Sequence, residues 1–157
     1  MVENKDAQRV FDTLCSMLDG INWKYSADNE KLIVKTSAIG EDLPINIAAF
    51  VDANRNIMYT KSKLPVKVPE DKIVEACIAL HEANYSMLNG CFEYDIAGGN
   101  IYFKILVPFA GCLISEEVCH YMIMLTCQMV DKFNDKLEDL VNGKMTLQKF
   151  VEFTRND

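Results

Sequence analysis

Arginine is scarce in this chain of 157 residues: only Arg9, Arg55 and Arg155 are present. Net charge is -7 and the pI is about 4.8. A broad nucleic-acid surface needs concentrated Lys and Arg to neutralise phosphates, so this balance argues against DNA or RNA as a partner. No stretch reaches the roughly 18 apolar residues of a membrane-spanning helix. The N-terminus has no basic region followed by an apolar run, so no signal peptide is read there. Histidine is equally sparse, at His81 and His120. No two cysteines sit two to four residues apart, the spacing that zinc sites usually present, so no metal or other cofactor is expected.

What is there is an ordinary globular mixture, 50% hydrophobic and 25% charged. Its length suits one domain with a real core. The acidic balance is more compatible with a protein or peptide partner than with nucleic acid or an anionic membrane. Six cysteines (Cys15, Cys77, Cys91, Cys112, Cys119, Cys127) fall mostly on apolar faces of predicted elements, where a free thiol acts as a small hydrophobe. That pattern points to a reducing cytoplasm rather than a disulfide framework.

Periodicity gives the order of elements. Residues 4 to 19 read as a helix with Val10, Phe11, Leu14, Met17 and Leu18 on one side, stopped by Gly20. Four strand-like segments follow: 23–27, 32–38, 45–51 and 57–60, separated by short polar breaks that suggest an antiparallel meander. Within them Phe50 and Met58 are expected to face away from the main core. Pro65 and Pro69 bracket Val66-Lys67-Val68, which reads as an edge or linker because proline removes a ladder donor. A second helix runs to about Leu88, with Ile73, Cys77, Leu80, Asn84, Met87 and Leu88 as its stripe. After the hairpin described below, Ser115 is a plausible N-cap for a long helix ending at Gly143. Its stripe is Val118, Met122, Leu125, Met129, Phe133, Leu137 and Leu140, widened by Cys119, Ile123, Val130 and Val141. Thr146 is placed to cap a last short helix carrying Leu147, Phe150 and Val151. The fold class is therefore α+β, with a predominantly antiparallel sheet and helices packed on one side or at its ends.

The hairpin around Gly98-Gly99 is expected to organise the core together with the long helix, since neither amphipathic element is stable alone in water. A two-residue turn predicts Ile96 opposite Ile101, Tyr94 opposite Phe103 and Phe92 opposite Ile105, with Glu93 facing Lys104 on the other side.

Candidate chemistry is thin. Cys119 lies in the first turn of a helix, which favours a thiolate, but Glu116 and Glu117 oppose it. Cys112 sits in an irregular segment without an orienting base. The neighbours Cys119 and His120 diverge by about 100° on a helix and do not form a ligand pair. No catalytic residue is assigned. Asn84, an amide on an otherwise apolar stripe, is expected to bond a strand edge or loop backbone, because leaving it unpaired would cost roughly 1–3 kcal/mol. Tyr121 and Met124 lie off the main stripe of the long helix. With Phe50 they make a possible surface for peptide binding or dimerisation, since methionine adapts to varied partners. A small-molecule or lipid site between the sheet and the long helix is the alternative, and it requires an internal cavity.

Asn84-Tyr85, Gly90-Cys91-Phe92, Glu93-Tyr94-Asp95, Ile101-Tyr102-Phe103, Ser115-Glu116, Asp131 with Phe133, and Asn142-Gly143 together resemble the bacterial YbjN family. Members of that family look like the type III secretion chaperones in fold. The resemblance implies an α-β-β-β-α-β-β-α plan, commonly dimeric in the chaperones, which are small acidic proteins that hold an unfolded segment of a secreted effector. The chain departs from that plan by a fourth segment, Ile57 to Thr60. No functional residue carries over, because the family offers no catalytic motif to match.

Overall fold

The structure is a computed structural model and describes residues 5–156. The elements are α1 (Lys5–Gly20), β1 (Tyr25–Asp28), β2 (Ile33–Ile39), β3 (Pro44–Asp52), β4 (Ile57–Lys67), α2 (Ile73–Ser86), β5 (Cys91–Asp95), β6 (Asn100–Pro108), α3 (Glu116–Val141) and α4 (Leu147–Arg155). One six-stranded sheet has the order β1-β2-β3-β4-β6-β5, antiparallel at every pairing. The α+β class and the predicted order of elements are those observed, with the fourth strand extending the meander. Among the described residues no helix is long and apolar enough to cross a membrane.

Helices lie on one face of the sheet. Ile45, Ile47, Ala49 and Val51 of β3 and Met58, Thr60, Ser62, Leu64 and Val66 of β4 all point into that side and are buried. The Thr60 and Thr126 hydroxyls bond at 2.7 Å, and Thr126 also donates to the Met122 carbonyl, so α3 is fastened directly over β4. Met58 is fully buried and belongs to the core, contrary to the expectation that it faces outward. Phe50 does face the open side, because it alternates with Ala49 and Val51 on a strand with a side-chain period of two.

Two boundaries differ from expectation. The proline-flanked passage is not a linker: β4 runs on to Lys67 in the middle of the sheet. Pro65 is tolerated there because the β3 ladder ends at the Ile47–Ser62 pair, and the β6 ladder shifts register between Lys63 and Lys67. The hairpin turn is four residues, Ile96 to Gly99, with Asp95 paired to Asn100. Phe92 therefore meets Phe103 and Tyr94 meets Ile101, a slip of two residues from the expected register. A two-residue slip preserves the face of every side chain. It expels only Ile96, which is 75% exposed. The Lys104–Glu93 ion pair still forms, as a diagonal contact instead of a direct one.

The stripe of α2 is also rotated. Ala76, Ala79, Leu80 and Ala83 face inward, while Cys77 and Leu88 are exposed. Small alanines let α4 and α3 approach the helix closely, which a stripe of larger residues would prevent. Behind them, Phe133 packs edge-on against Phe92 and Phe153 at centroid distances of 5.0 and 5.4 Å. Phe150 is tilted against Phe133 at 6.1 Å, and these rings join α3, α4 and the hairpin.

Candidate interaction surfaces

Asn84, on α2, aligns the helix with β5. Its Nδ2 donates to the Phe92 carbonyl at 3.0 Å, and its Oδ1 accepts from the Phe92 N–H at 2.7 Å. The side chain thus substitutes for a strand neighbour at one residue of the sheet's outer edge. It serves backbone and points at no cleft.

Beyond Asn84, the outer side of α2 is apolar where a surface helix is ordinarily polar. Val74, Ile78, His81 and Tyr85 succeed one another at steps of four, three and four, all exposed. This is the spacing of a helix-pairing seam. With alanines on its other face and Glu75 and Glu82 on one flank, α2 is apolar on two opposite sides, yet the fold buries only one. Tyr85 and the fully exposed Leu88 lead into a groove of about 520 Å3 between the C-terminal end of α2 and the flank of α3. Tyr121, Leu125 and Met129 line its far wall.

The three residues singled out from sequence do not form one patch. Tyr121 lies in the groove and is 48% exposed. Met124 is half-buried on α3 outside the groove lining. Phe50 is on the opposite face of the sheet, stacked on Tyr59 at 4.8 Å and 13°. Leu125 and Met129, which the sequence stripe places in the core, are only partly buried and line the groove. The buried stripe of α3 instead centres on Met122, Ile123, Thr126 and Val130, which frees its neighbours for the groove. The 4-3-4 run on α2 was visible in the sequence, but the heavier alternative stripe masked it.

Of the six thiols, the two buried ones are poorly suited to nucleophilic work, while Cys77 and Cys112 are exposed. Burial pushes the Cys119 thiol up to about 12, with the nearby Glu116 carboxylate adding to the effect. Burial likewise raises Cys127 to about 11, reinforced by Asp131. Both are protonated at neutral pH, and only the thiolate attacks. His120 is exposed while Cys119 is buried, so the two diverge as adjacent helical residues must. No group of three or more His, Cys, Asp or Glu side chains suited to a metal gathers among the described residues. Between sheet and α3 the space is filled: Phe103, Ile105, Met122, Ile123 and Val130 are all at most 1% exposed.

No protein-family model matches the sequence, and no curated protein matches it. Solved structures do match in fold. YbjN from E. coli aligns with a TM-score of 0.59 at 10% identity, over 85% of this chain and 92% of its own. The chain has the YbjN and secretion-chaperone fold. The ExsC–ExsE complex matches with a TM-score of 0.55 at 13% identity, covering 86% of this chain and 95% of that one. The HopA1–SchA chaperone–effector complex matches with a TM-score of 0.59 at 10% identity, covering 83% and 98%. At these identities the likeness is one of fold.

Proposed function

We propose that this chain is a non-catalytic, chaperone-like protein-binding domain that holds a segment of a partner polypeptide in the groove between α2 and α3. The exposed row of Val74, Ile78 and Tyr85, broken by His81 and leading with Leu88 into the groove beside Tyr121, carries the reading. Two of the fold neighbours are complexes, one of them of a chaperone with its effector, which supports a polypeptide as the ligand. A packed interior beneath α3 favours this reading over a small-molecule or lipid site. The buried, protonated thiols of Cys119 and Cys127 favour it over an enzyme that would use them, and six free cysteines suit a protein of the reducing cytoplasm.

The outer seam of α2 is the face on which a second copy docks. A 4-3-4 row that is apolar at three of its four positions is self-complementary about a two-fold axis, so each copy buries the other's row. Light scattering over a range of concentrations tests the dimer. The native chain is expected to weigh twice its 17.8 kDa and a Val74→Glu/Ile78→Glu variant to weigh 17.8 kDa. A native chain that stays monomeric throughout refutes the seam. For the groove, Leu88→Asp is expected to abolish capture of apolar peptides from a synthetic array. Unchanged capture rejects the groove.

A further inference from the structure

The face of the sheet turned away from the helices carries ordered rows that the proposed groove does not use. Pairing places Lys35 beside Ala48, Ala48 beside Lys61, and Lys61 beside Lys104. The adjacent row on the same face is Ile33, Phe50, Tyr59 and Leu106. A cationic strip therefore runs alongside an apolar strip across four strands. Lys104 is committed to Glu93. Lys35, Lys61 and Lys63 make no ion pair among the described residues, and they line a shallow cavity of about 370 Å3 with Phe50 and Tyr102 and no carboxylate. Three unpaired cations converge there in a protein whose net charge is -7.

We propose that this open face is a second docking surface, for an acidic amphipathic helix of a partner protein. Charge chooses the sign: carboxylates pair with Lys35, Lys61 and Lys63 while apolar residues cover Phe50, Tyr59 and Leu106. Backbone chemistry chooses the helix. β3 and β4 are flanked by partners on both sides, so an extended segment laid on their face finds no ladder to join and leaves its own amides unpaired. A helix satisfies its own. Lys35 and Lys61 are two strand intervals apart, about 10 Å, which matches residues i and i+7 of a helix at about 1.5 Å per residue. The aromatic rings argue against single-stranded nucleic acid, the other ligand that lysines and aromatics on a sheet suggest. Phe50 and Tyr59 are stacked on each other, and Lys61 sits 4.0 Å over the Tyr102 ring, so one π face of each ring is already engaged.

Fluorescence anisotropy on the full chain at low salt tests this, using a labelled helical peptide with leucines on one face and glutamates flanking them. A copy with lysine for glutamate and a labelled oligo(dT) are the comparison probes. The Glu/Leu peptide is expected to bind saturably and to shift the amide resonances of Ala48, Phe50 and Tyr59. Neutralising the strip with Lys35→Gln/Lys61→Gln/Lys63→Gln should weaken it roughly tenfold, since each surface ion pair contributes little alone; the Glu triple variant should weaken it further. Lys35 and Lys63 are exposed and Lys61 is half-buried over Tyr102, and unchanged resonances of the α3 core check that the variants fold. Leu88→Asp should leave this binding intact, which separates it from the groove. No saturable binding, equal binding of the lysine copy or of the neutralised variant, or tighter binding of oligo(dT) overturns the proposal.

Discussion

Replacing Asn84 by alanine removes both hydrogen bonds that hold α2 to Phe92. A net contribution of about 1 kcal/mol per bond sets the loss at about 2 kcal/mol. For a chain of this length each kcal/mol moves Tm by about 2–4 °C, so thermal unfolding should shift down by about 4–8 °C. Asn84→Asp is the sharper variant. Its carboxylate still accepts from the Phe92 N–H, but it meets the Phe92 carbonyl with no proton to give, which raises its pKa above the ~3.9 of an unfolded aspartate. A group with a raised folded-state pKa stabilises most below its unfolded value and loses that contribution as pH rises through the folded one. The deficit of the Asp variant against the native chain should accordingly be full at pH 7 and shrink toward pH 4.5. The comparison at each pH matters because Asp28 and Asp52 are held low by hydrogen bonds from Lys31 and Arg55 and lose their contributions in acid in both proteins. Chemical denaturation with far-UV circular dichroism at several pH values is the assay. A loss under about 0.5 kcal/mol for Asn84→Ala would mean that water replaces the amide, and a pH-independent Asp deficit would refute the assigned bonding.

Iodoacetamide at pH 8 followed by intact mass should modify the exposed Cys77 and Cys112 in the native chain, and Cys119 and Cys127 only after unfolding; prompt loss of all six thiols would contradict their burial. Gly90→Ala and Gly99→Ala form a matched pair, since both glycines have positive φ, at 81° and 63°. Each variant bears the left-handed strain of about 1–2 kcal/mol, but at Gly90 a Cβ also falls 2.5 Å from Phe103 Cζ, whereas at Gly99 it meets nothing within 4 Å. Gly90→Ala should therefore be the more destabilised in urea titration, and equal midpoints would show that Phe103 yields freely.

Alternation and caps were legible because they are local. The buried row of β3, the inward face of α1 and the Ser115 and Thr146 caps, which accept from the Val118 and Lys149 amides, are each fixed by residues within one turn or one strand. Register was less so: a four-residue turn and a two-residue turn leave the same faces greasy, and only the pairing with β4 separates them. The course of β4 past Pro65 depended on where the ladder to β3 ends, which no local pattern encodes. The α2 stripe failed for a related reason, since a helix apolar on both sides does not declare which one faces its core. The lysine strip was illegible for the same cause. Lys35, Lys61 and Lys104 come from three strands, and only sheet order sets them in line.

Salt separates the two surfaces, because they differ in what drives association. The α2 seam is built of Val74, Ile78 and Tyr85, whose burial from water is favoured without regard to ionic strength at moderate concentrations. The sheet face depends on Lys35, Lys61 and Lys63, charges lining an open cavity whose attraction is screened over about 10 Å at 0.1 M salt and about 3 Å at 1 M. Raising NaCl from about 0.05 to 0.5 M should thus leave the dimer fraction unchanged or slightly higher while the acidic helical peptide is released. Both quantities come from one sample, by sedimentation velocity with the peptide followed at its label's absorbance. Dimer and peptide lost together would place them on one charged surface and refute the division. A peptide retained at high salt would show that Phe50, Tyr59 and Leu106 hold it without the lysines, and would remove the reason for expecting an acidic partner.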